Sequence, residues 1–192
     1  MSKKIFQKVG TVALVAVMAA PFAANAESNF VTSGTATAHV DFRVTIPTFL
    51  ALRVGTPNNV IDVIQFAPSA ADLGNGTPLS GTGGDLGAGA VSVNVRGNGG
   101  NMTLTSRTGP LVNSLGDSIN WNQISTVSSN TSGLPAPTLV NAPSFTTVPL
   151  TANQANGRVT DLNANWTYSF LNQAVLPEGT YNGQVTYTAS MP

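Results

Sequence analysis

The clearest pattern in the chain is the alternation of apolar and polar side chains over residues 35–46. The apolar positions are Ala36, Ala38, Val40, Phe42, Val44 and Ile46, and the positions between them are Thr35, Thr37, His39, Asp41, Arg43 and Thr45. Because successive side chains of a β-strand point to opposite faces, this period of two predicts a strand with one dry face. Val40 and Phe42 are therefore predicted to be core residues.

Further alternating or apolar stretches follow along the chain. They cover residues 49–54, 60–66, 90–96, 102–106, 118–124, 158–170 and 180–190. Glycine and asparagine fill residues 97–101, which predicts a tight turn and a hairpin between the strands on either side of it. Val93, Trp166 and Tyr187 fall on the apolar faces of their strands, so we expect them in the core as well.

Two long segments lack this periodicity. Residues 67–89 are rich in Gly, Ser, Thr, Asp and Pro, and residues 128–149 contain four prolines. We expect both to be exposed loops, with residues 146–148 pairing at a sheet edge. The spacing of the strands and the lack of helical periodicity predict an all-β fold, specifically an immunoglobulin-like β-sandwich of about seven to nine mostly antiparallel strands.

The first 26 residues have the features of a secretory signal peptide. Lys3, Lys4 and Lys8 precede a short apolar run over 9–20, and Ala24-Asn25-Ala26 matches the small-residue cleavage pattern. We therefore predict a signal peptide over 1–26 and a single β-sandwich domain over 27–192. The expected location is the periplasm, the cell surface or the extracellular medium, without membrane insertion after cleavage.

Charge and composition exclude several classes of function. All three lysines lie in the predicted signal peptide, so five arginines and eight carboxylates leave residues 27–192 with a net charge of about −3. Such a surface is poorly suited to neutralising phosphates, and nucleic acid is not an expected partner. The chain has no cysteine and only one histidine, so an ordinary structural zinc site is excluded.

No catalytic or cofactor-binding site is predicted. His39 and Asp41 share a strand face, but their spacing of about 7 Å along the strand is long for the hydrogen bond of a catalytic triad. The other carboxylates are scattered singly and are expected in turns and on the surface. Residues 81–85 have a faint similarity to calcium-binding glycine-aspartate repeats, but the motif occurs once, and no metal is predicted. We expect a protein that is not an enzyme.

Aromatic side chains near the strands leave two interpretations open. They are Trp121, Trp166, Tyr168, Phe170, Tyr181 and Tyr187. Their alternation with polar residues favours core packing. If some of them faced outward, they would form a platform for stacking sugar rings.

One resemblance to a known family rests on several features together. The chain is similar to the subunits of bacterial chaperone-usher fimbriae and related secreted coat proteins in its length, its alternating segment near the N-terminus, its middle segment over 102–124 and its closing sequence PEGTYNG at 177–183. The resemblance implies an incomplete immunoglobulin-like sandwich that the N-terminal strand of a neighbouring subunit completes.

The leading hypothesis is therefore an exported structural or adhesive surface protein that assembles by β-strand addition. The predicted assembly strand carries Val40, Phe42, Val44 and Ile46, and its partners would be further copies or other fimbrial subunits. The strand would either close the sandwich of its own chain or enter a neighbour. The alternative hypothesis is a secreted, non-catalytic carbohydrate-binding module with a surface glycan as its ligand.

Overall fold

A computed structural model describes residues 29–192. The predicted signal peptide and its cleavage site lie outside the described residues. The chain divides into two units, residues 1–45 and residues 46–192. The prediction of a single domain over 27–192 stays a prediction, and the two units are described separately.

The second unit is built from short and medium β-strands. They are β1 (Leu50–Val54), β2 (Ile64–Gln65), β3 (Leu79–Ser80), β4 (Thr82–Gly83), β5 (Ala90–Gly97), β6 (Met102–Thr108), β7 (Ile124–Ser128), β8 (Phe145–Leu150), β9 (Thr160–Phe170) and β10 (Val185–Ser190). Residues 29–192 contain no α-helix, and one turn of 3-10 helix, Trp121–Gln123, precedes β7. The prediction of an all-β protein is confirmed.

The strands form three antiparallel sheets. The largest has the order β1-β5-β9-β3, and β7 also pairs with β9. The second has the order β10-β6-β8, and β2 and β4 form a separate small ladder. In the large sheet Leu50 of β1 pairs with Gly97, while Val93 at the centre of β5 pairs with Ala164 of β9.

The two larger sheets contribute to one hydrophobic core. Its buried members are Val91, Val93, Val95, Met102, Leu104, Trp121, Leu134, Leu139, Leu150, Leu162, Ala164, Trp166 and Tyr168. The alternation of β5 and β9 places every second side chain in this core, as the sequence predicts. The predictions for Val93 and Trp166 are confirmed, and Tyr187 is half-buried against the same cluster.

The predicted hairpin over 90–106 is wrong. The strands β5 and β6 exist, but β5 pairs with β1 and β9, whereas β6 pairs with β10 and β8. The turn at 97–101 therefore carries the chain from one sheet to the other. At Gly97 a Cβ atom would lie only 2.8 Å from the Phe49 backbone carbonyl oxygen, so the turn favours a residue without a side chain there.

The N-terminal segment also differs from its prediction. Residues 29–49 belong to no strand of the described chain, and Val40 and Phe42 are 75% and 90% exposed. The prediction that these two residues lie in the core of their own chain is wrong. Alternation predicts a strand with one apolar face, but it does not show which surface covers that face.

Expectations for four further segments need correction. Residues 118–124 form no continuous strand, because Trp121 lies in the 3-10 turn and β7 begins at Ile124. The segment 128–149 is not simply an exposed loop, since Leu134 and Leu139 are fully buried. Residues 60–66 hold only the short strand β2, and residues 67–89 hold the short strands β3 and β4.

The expected pairing at 146–148 is present as β8, which pairs with β6.

Core burial gives a direct test of the register of β6. Leu104 is fully buried, whereas its neighbour Thr103 is exposed on the opposite face of the strand. Leu104→Ala should lower the free energy of unfolding by about 2–5 kcal/mol because it leaves a cavity. Thr103→Ala, the matched control, should change it by less than about 0.5 kcal/mol. Equal effects in urea denaturation would contradict this register.

Candidate assembly groove

Several strands of the second unit are paired on one edge only, and two of these, β1 and β10, approach each other. Within the described residues β1 is hydrogen-bonded only to β5, and β10 only to β6. They lie in different sheets, at the same side of the core, and they approach each other without forming a ladder. Unpaired strand edges present free backbone donors and acceptors, which favour pairing with another strand.

A groove of about 1080 Å³ opens beside these edges. Leu52 and Val54 of β1 line one side, and Val185 and Tyr187 of β10 line the other. We call this the assembly groove. Its volume is close to the upper end of the range of about 300–1,000 Å³ that is usual for small-molecule sites.

Buried core residues form the floor of the assembly groove. The buried side chains that line it are Val91, Trp121, Leu139, Tyr168 and Phe170. Trp121 is held in place because its indole Nε1 donates to the Gly109 carbonyl at 2.6 Å. The groove thus reaches the hydrophobic core instead of a polar surface layer.

Burial along the strands supports the same description. The inward-facing residues of β5 are fully buried, whereas those of β1 and β10 are only half-buried. The half-buried rows are Leu50, Leu52 and Val54 on β1 and Val185, Tyr187 and Ala189 on β10. Both rows pack against the core, and both remain partly exposed.

Two tyrosines place polar groups within the apolar groove. The hydroxyls of Tyr168 and Tyr187 are hydrogen-bonded at 3.0 Å, and the Tyr187 ring lies 5.0 Å from that of Trp166, centroid to centroid. Burial raises the pKa of Tyr168, partly offset by the hydrogen bond from Tyr187. Burial raises the pKa of Tyr187 well above its usual value, and the nearby Tyr168 raises it further.

One rim of the groove is a segment fixed by a carboxylate. Asp62 accepts hydrogen bonds from the Thr56 backbone N–H at 2.6 Å and from its hydroxyl at 2.8 Å. This closes the turn after β1 and leaves Val60, Ile61 and Val63 exposed at the rim. Asp62 and Glu178 are the only charged residues that line the groove in the described chain.

The residues of the predicted assembly strand lie on the exposed N-terminal segment. Val40, Phe42, Val44 and Ile46 are between 75% and 90% exposed, and none belongs to a strand within residues 29–192. Sequence reasoning identified this apolar row but not the groove. The alternation around Tyr187 indicated an inward-facing row on the last strand, yet nothing in the sequence showed that this row is half uncovered.

The side chains considered for metal binding or sugar stacking make structural contacts in the fold. Asp85, in the predicted faint calcium motif, accepts from the Ser92 backbone N–H at 2.8 Å and from its hydroxyl. No group of three potential metal ligands occurs among residues 29–192. Four of the six aromatic residues considered for sugar stacking are buried: Trp121, Trp166, Tyr168 and Phe170.

Among residues 29–192, no helix is long and apolar enough to cross a membrane.

Comparisons with known proteins do not assign the chain to a family. No protein-family model matches it, and no curated protein does.

The tyrosine pair predicts a decline in stability at alkaline pH. In the unfolded chain both hydroxyls titrate near pH 10, whereas their pKa values in the fold are raised. The contribution of the two tyrosines to the free energy of unfolding is therefore complete below about pH 10. It is lost as the pH rises through their folded-state pKa values. No lysine lies outside residues 1–26, so tyrosines dominate this range. Urea denaturation from about pH 8 to 11 should show the decline, and Tyr187→Phe should make it shallower. An unchanged slope in this variant would contradict the assignment.

Proposed function

We propose that the protein is an exported structural subunit that assembles into surface fibres or coats by β-strand addition between copies. The alternating segment over 36–46 of one copy fills the assembly groove of the next. The observation that carries this proposal is a match within residues 29–192: an alternating segment there belongs to no strand, and an apolar groove lies beside two unpaired strand edges.

The groove and the segment are complementary in polarity. The groove is apolar at its floor, and the segment presents an apolar row that includes Val40, Phe42 and Val44. If the segment pairs with an open edge, the backbone supplies hydrogen bonds while alternate side chains enter the core. The opposite row, with His39, Asp41 and Arg43, then faces water.

The proposed assembly covers two exposed surfaces that favour aggregation. An apolar row exposed along the segment favours aggregation, and so does an open sheet edge. Pairing covers both surfaces at once, with burial contributing about 25 cal/mol per Å² of apolar surface. Because each copy contributes a segment to one contact and a groove to the next, the contact is head to tail, and it generates an open filament when successive rotations do not close into a ring.

The arrangement of strands supports the resemblance to fimbrial subunits. We infer that the two larger sheets form an immunoglobulin-like sandwich whose final strand is missing between β1 and β10. Such an incomplete sandwich is the fold that the resemblance implies. A signal peptide over 1–26 and a location at the cell surface belong to the same proposal.

The carbohydrate-binding alternative has less support. Its main requirement is a set of aromatic rings that face solvent. Trp121, Tyr168 and Phe170 instead lie at the floor of the groove and are buried. Within the described chain the exposed Phe145 is covered on one face by the Arg107 guanidinium, 4.2 Å from the ring centroid.

Matched substitutions in the segment test the proposal. Phe42→Glu places a charge in the apolar row and should abolish polymers, because a buried unpaired carboxylate is strongly unfavourable. Thr45→Glu adds the same charge on the polar row and should leave polymers intact. Light scattering after gel filtration gives the masses. Equal mass distributions for the two variants would refute the proposal.

A complementation experiment sharpens this result. Phe42→Glu disables the segment and leaves the groove, whereas Val185→Glu, at the half-buried start of β10, disables the groove and leaves the segment. Neither variant should polymerise alone, and an equimolar mixture should form heterodimers and nothing larger. A mixture that stays monomeric would contradict strand addition between copies.

A further inference from the structure

The short link between the segment and β1 decides which groove the segment can reach. Ile46 ends the apolar row and β1 begins at Leu50, so residues 47–49 form the whole connection. The inference below rests on the proposed function, because it concerns which copy supplies the strand.

The side chain of Asn98 binds this link at two points. Its Oδ1 accepts from the Phe49 backbone N–H at 2.9 Å, and its Nδ2 donates to the Pro47 carbonyl at 2.8 Å. The Asn98 backbone N–H also donates to the Phe49 carbonyl at 3.4 Å. The β1 and β5 ladder ends with the pair Leu50 and Gly97, so Asn98 stands opposite Phe49 as the next position. A side-chain amide thus continues the hydrogen bonding of the ladder and binds the link to the turn after β5.

Entry of the segment into its own groove beside β1 would require the link to reverse the direction of the chain. To run beside β1 in the antiparallel sense, the chain must reverse within Pro47, Thr48 and Phe49. A three-residue hairpin usually needs a residue with positive φ, commonly glycine, and this link has none. Reversal would also break the two side-chain bonds of Asn98.

The other direction of entry is excluded by length. A strand that lies beside β1 in the parallel sense needs a crossover connection of about a dozen residues or more. The three residues at 47–49 cannot supply it. A segment from another copy meets neither restriction, since its link stays bound to its own Asn98.

We propose that Asn98 is a positioning residue that prevents self-insertion of the segment and so directs it to a second copy of this chain. Asn98 is not one of the residues that line the assembly groove. Its effect is on the balance between insertion within one chain and insertion between chains.

Two measurements on the purified full chain separate these states. Gel filtration with light scattering gives the mass, and amide hydrogen exchange over residues 36–46 shows whether the segment is paired, because paired amides are protected. A protected segment in a polymer indicates insertion between copies. A protected segment in a monomer indicates self-insertion, and an unprotected segment indicates no insertion.

The parent chain should form polymers with a protected segment. In Asn98→Ala the ratio of protected monomer to polymer should rise about tenfold, as the loss of two ordinary hydrogen bonds permits. Asn98→Asp keeps the acceptor for Phe49 but loses the donor to Pro47, so it should give an intermediate rise and serves if the alanine variant folds poorly. Asn94→Ala is the matched control, because Asn94 lies within β5 and its Nδ2 donates to the Asn163 Oδ1 at 2.8 Å, away from the link.

Each outcome decides the question. If the parent polymerises and the Asn98 variants show the parent ratio, the inference is overturned while the proposed function stands. If the parent is a monomer with a protected segment, self-insertion occurs despite Asn98 and the inference is wrong. If the segment is unprotected in the parent, strand addition itself fails, and the inference fails with it.

Discussion

The open side of the core between β1 and β10 is the constraint on which the rest of this structure depends. Each of these strands is paired on one edge within the described chain, and each leaves an apolar row half covered. Backbone groups at such edges and apolar side chains in such rows both gain free energy from a covering strand. The proposed assembly and the proposed role of Asn98 both follow from this single deficit.

The sheet-switching turn at 97–101 links the core to the N-terminal connection. Its first residue, Gly97, permits close approach of the Phe49 carbonyl oxygen as the chain crosses between sheets. Its second residue, Asn98, continues the β1 and β5 ladder along the link at 47–49. The same turn thus connects the two sheets and binds the link at Pro47 and Phe49, which is the basis of the proposed role of Asn98.

Much of the fold follows from local pattern. The strict alternation of β5 and β9 places Val93 and Trp166 in the core, and the turn residues after Gly97 mark where β5 ends. Other features could not be predicted from local pattern. The turn at 97–101 has hairpin chemistry but connects two sheets, because alternation predicts which face of a strand is dry and not which strand lies beside it. Leu134 and Leu139 are buried in a proline-rich segment, because composition does not show where a segment without regular structure docks.

The candidate site shows the same division. The sequence by itself determined that the chain is all-β and that Val40, Phe42, Val44 and Ile46 form one apolar row, since a period of two is a local property of side-chain direction. Only the tertiary structure decided that this row lies exposed and that Tyr187 lies beside an uncovered groove. Burial depends on which distant strands pair, and an unpaired strand edge leaves no signal in the residues around it.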